Sequence, residues 1–246
     1  MKLLEGCKAI VTGGGHPLGI GQATARLFVE HGAQVVVFDR DFAPGALPDG
    51  QHPMIVDVSD ADACRAALAA AAERMGGIDA VVNNAGIVAA TRITQLSPAE
   101  FARMLEVNLI GTFNVTQAAI PFLQRSEKGA AIVNVGSIAA QRGGGLLGGS
   151  HYAAAKGGVL SFTKATAREC GSLRSRANAV APGIIETGMT AGKCDAERTR
   201  AICETIPLGR FGTALDVARV ILFLASPMSS YLTGTVIDVN GGYHIH

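Results

Sequence analysis

TGGGHPLGIG, residues 12–21, is the stretch on which the reading of this chain turns. The apolar run CKAIVT (7–12) leads into it, and apolar residues recur after it at Ile20, Ala23, Leu27 and Phe28, one face of a helix. The order is strand, glycine turn, helix. Unpaired amides at the start of such a helix, together with its dipole, favour a pyrophosphate. The spacing G-x-G-x-x-G is not met, because Leu18 stands where the third glycine would fall and five residues separate Gly13 from Gly19. Support has to come from the rest of the chain.

Working outward, AQVVVF (33–38) and MIVDV (54–58) are β-branched runs without the alternation of a half-exposed strand, so both are expected to be buried on two faces. IDAVVN (78–83), AAIVNV (130–135), ANAVA (177–181) and VIDV (236–239) supply further strands. Helices are expected between them: an alanine-rich one over 61–75 capped by Ser59 or Asp60, and a long one from Ser97-Pro98-Ala99-Glu100, which has capping-box spacing, to about Gln124. A third runs from about Tyr152 to Glu169, and the last begins at a capping Thr213. Regular alternation of strands and helices implies an α/β fold of one domain over residues 1–246, a mainly parallel, doubly wound sheet with helices on both faces. Residues 183–208 form the long irregular segment, expected to act as a substrate-binding loop or lid.

Composition narrows the class. Of 246 residues, 48% are hydrophobic and 17% charged, which excludes a disordered chain. Lys and Arg number 21 against 20 Asp and Glu, so no nucleic-acid or anionic-membrane surface is indicated. The N-terminal residues lack a signal-peptide core, and the apolar VARVILFLA is short and carries Arg219, so no membrane span and a cytoplasmic location are expected. The five cysteines show no C-x-x-C spacing, which reads as reduced thiols without a metal framework.

Two pairs carry candidate chemistry. Asp39 ends the second strand 18 residues after Gly21, about where a carboxylate meets an adenosine ribose. Tyr152 and Lys156, in HYAAAKGG, are four apart, so phenol and ammonium share one helix face. A cation there is expected to pull the tyrosine below its ordinary value of about 10 and make it an acid/base near neutral pH.

With these residues in order, from Thr12-Gly13 and Gly19-x-Gly21 through Asp57-Val58, Asn83-Asn84-Ala85-Gly86, Asn108 in VNLIGTF, Ser137 in IVNVGS, Tyr152-x-x-x-Lys156, Pro182-Gly183 and TGTVIDVNGGY, the sequence resembles the short-chain dehydrogenase/reductase family in its compact, single-domain, Rossmann-like form. The resemblance runs from residue 7 to the C-terminus. It implies a catalytic tetrad of Ser137, Tyr152, Lys156 and Asn108 in a nicotinamide-dependent oxidoreductase. Tyr152 would move the proton, Ser137 would hydrogen-bond the substrate oxygen, Lys156 would also hold the nicotinamide ribose, and Asn108 would hold a water beside the lysine. For cofactor binding it implies Gly13, Gly19, Ile20, Gly21, Asp39, Asp57, Val58, Asn84, Ala85, Gly86, Tyr152, Lys156, Pro182, Gly183, Ile185 and Thr187. A homotetramer built through long helices and C-terminal strands is also implied.

Two departures from the family pattern stand out. The glycine turn carries two more residues than the usual three, at about His16-Pro17, and Ser137 precedes Tyr152 by fifteen residues rather than thirteen. The second insertion, QRGGGLLGGSH, is expected to reshape the substrate mouth, with Gln141, Leu146 and Leu147 as candidate liners. His16 is expected to be a solvated loop residue and His151 to pack away from the site. Asp39 and Leu18, the latter where NADP-dependent relatives often carry a basic residue, favour NAD over NADP, although Arg40 complicates the inference. Substrates stay open between a small polyol or sugar-like alcohol and a 3-oxoacyl compound. YAAAKGGVLSFTKATARE resembles the 3-oxoacyl-carrier-protein reductases, which are commonly NADP-dependent, and Arg125, Lys128, Arg174 and Arg176 are candidate contacts for an acidic carrier protein. A catalytically silent nucleotide sensor on the same fold is the reading from another class. No metal is expected, with His244 and His246 as the remaining metal question.

Overall fold

The structure is a computed structural model that describes residues 2–43, 47, 49–144, 147–188 and 195–245. Its main element is a seven-stranded sheet ordered β3-β2-β1-β4-β5-β6-β9, every neighbouring pair parallel. The strands are β1 (Lys8–Thr12), β2 (Gln34–Asp39), β3 (Gln51–Ile55), β4 (Ala80–Asn83), β5 (Ala130–Val135), β6 (Ser175–Pro182) and β9 (Val236–Val239). Winding reverses between β1 and β4, so loops leaving the carboxyl ends of these strands diverge and open a crevice there.

Helices cover both faces. On one, α1 (Ile20–Glu30) and α8 (Ala214–Ala225) pack Phe28, Val217, Ile221 and Leu224 onto Val35, Val37 and Val82. On the other, α2 (Ala61–Met75) and α4 (Gly111–Leu123) bury Leu68, Val115 and Leu123 against Val36, Phe38 and Ile132, and α6 (Ser150–Cys170) joins them through Ala167. Local signals set the helix starts. Asp60 accepts from the amides of Asp62 and Ala63, Ser97 from that of Glu100, and Thr213 forms a capping box with Asp216.

Three expectations need correcting. The third strand occupies Gln51–Ile55, not 54–58, and it is an edge strand of alternating burial in which Ile55 is 71% exposed. Pro53, which donates no backbone hydrogen bond, is tolerated at that edge. The helix expected from 98 to about 124 is α3 (Pro98–Leu105) and α4 joined by a π-helical turn, Glu106–Ile110, centred on Asn108. The segment 183–208 is also more ordered than expected: β7 (Ile185–Glu186) pairs in parallel with β8 (Gly212–Thr213), and α7 (Ala196–Glu204) begins at a capping Asp195. Residues 189–194 of that segment lie outside the described residues. A short α5 (Ala139–Arg142) was not foreseen either, because four residues leave no periodicity to read.

Among the described residues, no helix is long and apolar enough to cross a membrane. Cys7, Cys64 and Cys170 are buried and free, and burial pushes the Cys7 thiol up to about 12 and that of Cys64 to about 11.

Candidate active site

The crevice at the switch point is a cavity of about 820 Å³ running from the β2 end, past the glycine turn, to the start of α6. Its wall begins at Thr12. The Thr12 hydroxyl accepts the amides of Asn84 (3.0 Å) and Ala85 (2.9 Å), stitching the end of β1 to the loop after β4. Asn84 completes the stitch by donating to the carbonyls of Thr12 (3.0 Å) and Gly13 (2.9 Å). Its side-chain amide is therefore a brace for the glycine turn and not a donor toward a nucleoside.

Gly13 has φ +72°, and a Cβ there would stand 2.7 Å from the Ala85 backbone, so both conformation and space demand glycine. His16 to Gly19 close a tight turn through the Gly19 amide on the His16 carbonyl (3.0 Å), which is where the two extra residues were expected. His16 is exposed but not merely solvated. Its Nδ1 accepts the Leu18 amide (3.2 Å), and its ring lies against Gly188 at the cavity wall. Gly21 does not line the cavity; its bare Cα lets α1 approach the Gly13 carbonyl, which a Cβ would meet at 2.3 Å.

Asp39 sits at the lip of the cavity with one carboxylate oxygen on the Gly15 amide and the other on the Arg40 amide, both at 2.7 Å. An ionised carboxylate has about four acceptor sites, so two bonds leave capacity for further donors. Arg40 leans toward Asp57, 3.9 Å away, and Arg103 approaches the same oxygen at 3.8 Å. Partial burial opposes ionisation of Asp57, but the Ser59 hydroxyl and amide with these two cations hold its carboxyl below the ordinary value.

The other end of the cavity holds the candidate catalytic groups. Ser137 leaves β5 and Tyr152 and Lys156 project from the first turns of α6; all three line the cavity, where the Ser137 hydroxyl acts on the Tyr152 phenol. Gly148 lies flat on the phenol, since a Cβ there would be 2.3 Å from the ring. Lys156 is 4% exposed and its ammonium donates to the Val135 carbonyl at 2.7 Å. Burial lowers the lysine to about 8. The expected depression of Tyr152 is not found: burial raises the phenol, and the Ser137 hydroxyl only offsets part of that. Desolvation sets the direction of the phenol's shift, and the Lys156 ammonium is directed at the Val135 carbonyl.

Asn108 is wholly buried in the π turn and donates to the carbonyls of Ile87 (3.1 Å) and Met104 (3.0 Å). Its Oδ1 is a buried acceptor without a hydrogen-bond partner. A Cβ on Gly86 would stand 2.4 Å from that oxygen and 3.6 Å from Lys156 Nζ, so only a glycine fits beside both. Beneath the site, Asn83 donates to Thr116 (2.9 Å) and to Asn134 (2.8 Å), and Asn134 donates to Thr163 (2.8 Å), tying α4, β4, β5 and α6 together. Sequence reading missed this chain of amides. Its signal was an asparagine at or next to the carboxyl end of two otherwise apolar strands.

Most expected positions meet at this cavity: Gly13, Gly19, Ile20, Asp39, Asp57, Val58, Asn84, Ala85, Gly86, Asn108, Ser137, Tyr152, Lys156, Pro182, Gly183, Ile185 and Thr187 all line it, as does Leu147. Gln141 does not, because its amide turns to Asp238 in β9 (3.0 Å). Leu146 lies outside the described residues. Arg142 and Tyr243, neither foreseen, line the mouth instead. His151 packs away: it is fully buried, with Nε2 3.9 Å from Glu100 Oε1, which also takes the Thr91 hydroxyl.

The four arginines and lysines proposed for a carrier protein are placed differently from that expectation. Arg125 and Lys128 precede β5, and Arg174 and Arg176 stand at the start of β6, so all four mark the amino ends of strands whose carboxyl ends carry the cavity. A strand of six to eight residues puts that edge roughly 20 Å away. Arg176 is moreover a brace, donating to the carbonyls of Leu224 (3.0 Å) and Ser226 (3.3 Å) and to the Ser229 hydroxyl (2.9 Å). Among the described residues no cluster of three His, Cys, Asp or Glu could hold a metal; His246 lies outside them.

The residues fit a dinucleotide on three observations. The α1 N-terminus faces the cavity with no side-chain cap, a carboxylate with spare acceptor sites stands at the lip, and a buried ammonium lies beside the phenol. Known proteins agree. A family model described as enoyl-(acyl carrier protein) reductase matches residues 15–244. An uncharacterized short-chain type dehydrogenase/reductase of Sinorhizobium fredii is 43% identical, covering 99% of this chain and 100% of its own. The 3-oxoacyl-[acyl-carrier-protein] reductase of Thermotoga maritima is 40% identical over 97% of this chain and 98% of its own. A solved chain from Burkholderia xenovorans, described as a short-chain dehydrogenase/reductase, superposes with a TM-score of 0.91 at 32% identity, covering 99% of this chain and 98% of that one.

Proposed function

The chain belongs to the short-chain dehydrogenase/reductase family of oxidoreductases acting on CH–OH groups, and from that premise we propose that it interconverts a secondary alcohol and a ketone with NAD(H) as the preferred cofactor. The observation that carries this reading is Ser137, Tyr152 and the buried Lys156 ammonium gathered at one end of a cavity whose other end is the glycine turn. The nicotinamide supplies or takes the hydride when bound. Ser137 donates a hydrogen bond to the substrate oxygen as charge develops there, and Tyr152 gives that oxygen a proton in reduction or removes it in oxidation. Lys156 holds the ribose and supplies positive charge near the phenol, while the vacant Asn108 Oδ1 offers an acceptor through which a water reaches the lysine.

NAD(H) preference is supported by two features of the β2 end. The Asp39 carboxylate is fixed by two amides where it would meet a 2′-phosphate as a like charge, and Arg40 is drawn to Asp57. Leu18, 63% exposed, adds no cation. Substrates remain a small polyol or sugar-like alcohol or a 3-oxoacyl compound. Likeness to the Thermotoga maritima reductase favours the second, with NADPH as its cofactor, but the basic residues considered for a carrier protein sit at the wrong edge of the sheet. Turnover of a ketone and alcohol panel with NADH and NADPH decides between them: the reading expects NADH favoured at least tenfold in kcat/KM, and equal efficiency with NADPH would remove it.

A homotetramer is the proposed assembly. Phe101, Ile110 and Phe113 leave an exposed apolar stripe on α3 and α4, and β9 is an open sheet edge near the fully exposed Tyr231. Light scattering at micromolar concentration should give four times the chain mass; a monomer would refute it.

A further inference from the structure

The charges lining the cavity are unevenly placed, with Arg40 beside the carboxylates of the glycine-turn end. Both carboxylates, Asp39 and Asp57, stand at the glycine-turn end, and the end beyond Tyr152 holds Arg142 as its one charged liner among the described residues. Arg142 closes α5, one helical turn of about 5 Å beyond the Ser137 loop. It is held there by the tail of the chain. Its guanidinium stacks 4.0 Å from the centroid of the Tyr243 ring and donates through Nη1 to the Tyr243 carbonyl at 2.9 Å. The tail is itself built: the Tyr243 amide reaches the Asn240 carbonyl (3.1 Å), the Gly242 amide reaches Asn240 Oδ1 (2.8 Å), and Gly241 and Gly242 take positive φ.

No carboxylate among the described residues pairs with Arg142, and one of its five N–H groups is taken by the carbonyl. The remaining fork stays open at the mouth. A planar guanidinium fixed on an aromatic face is preorganised for two parallel bonds to a carboxylate or phosphate. We propose that Arg142, clamped by Tyr243, is the anion-recognising group of the substrate site, so that the enzyme takes ketones and alcohols bearing an anionic oxygen group a few bonds from the reacting carbon.

The inference rests on the oxidoreductase reading for its reacting carbon, but its test reads binding alone. Calorimetry on the NAD+-bound protein, in which a ketone meets no hydride donor, compares acetoacetate and levulinate with their methyl esters. A second arm compares acetoacetyl-coenzyme A with the uncharged acetoacetyl thioester of N-acetylcysteamine. At least one anionic member should bind about tenfold tighter than its neutral counterpart, and the first arm assigns a small acid, the second a phosphate on a thioester arm. Arg142→Gln should bring the ratio to about one, Arg142→Lys should leave an intermediate ratio, and Tyr243→Ala should lower it. Absence of discrimination in both arms, or discrimination that survives Arg142→Gln, overturns the proposal. Missing hydride transfer with Arg142-dependent binding would instead sink the oxidoreductase reading and spare this one.

Discussion

The two ends of the cavity are built on opposite principles. At the glycine-turn end nearly every polar side chain is bonded to backbone: Thr12 to the amides of residues 84 and 85, Asn84 to the carbonyls of 12 and 13, Asp39 to the amides of 15 and 40. At the α6 end the groups are left with capacity. The Asn108 Oδ1 has no partner, the Lys156 charge is buried with a carbonyl and no carboxylate, and Arg142 stands open at the mouth. One end is a rigid cradle that can be read as motif. The other keeps desolvated groups available for work, at a cost in stability.

That cost gives the larger test of the contrast. Lys156 has a value of about 8 in the folded protein against an ordinary 10.5, so below pH 8 its buried charge costs about 3 kcal/mol relative to the unfolded chain. Between pH 8 and 10.5 the unfolded chain keeps the proton that the folded one has released, and stability therefore rises with pH over that window. Urea unfolding of the cofactor-free protein and of Lys156→Met should show the wild type gaining about 3 kcal/mol on the variant between those pH values. A difference that stays flat would mean the lysine is not held as a strained charge.

A smaller effect is expected at the cradle. Asp39→Ala removes one carboxylate whose bonds are to the loop itself, and the NADH preference of at least tenfold should relax or reverse while turnover with the better cofactor persists. Should the preference survive the substitution, Arg40 or the shape of the turn governs the choice, and the cradle is less simple than its hydrogen bonds suggest.

The same contrast explains what was legible beforehand. Strand cores such as AVVN and AAIVNV, the caps at Asp60, Ser97 and Thr213, and the ordered motifs around the cradle depend on neighbours in sequence, so a linear reading reaches them. Arg142 and Tyr243 are 101 residues apart and meet only because a four-residue helix and a turned tail bring them together. The sequence points to Gln141 as a liner, whereas its amide turns to Asp238 and Arg142 lines the cavity. The pKa of Tyr152 was misread for a related reason: one-face spacing shows that the lysine is near, but not that its proton goes to Val135 or that burial dominates. Pro53 is a signal of an edge at β3 that the apolar continuity through 54–58 masks.

The central claim is that hydride moves between nicotinamide and a substrate carbon while Tyr152 moves the proton. Mass spectrometry of products formed with NADH carrying deuterium at both C4 positions tests it directly, run across the ketone panel with the wild type and with Tyr152→Phe. The account predicts deuterium on the carbinol carbon of at least one product, and a rate about 10²- to 10⁴-fold lower in Tyr152→Phe with cofactor affinity nearly unchanged. Bound cofactor with no deuterium transferred to any ketone, or transfer at the wild-type rate without the phenol, would contradict it.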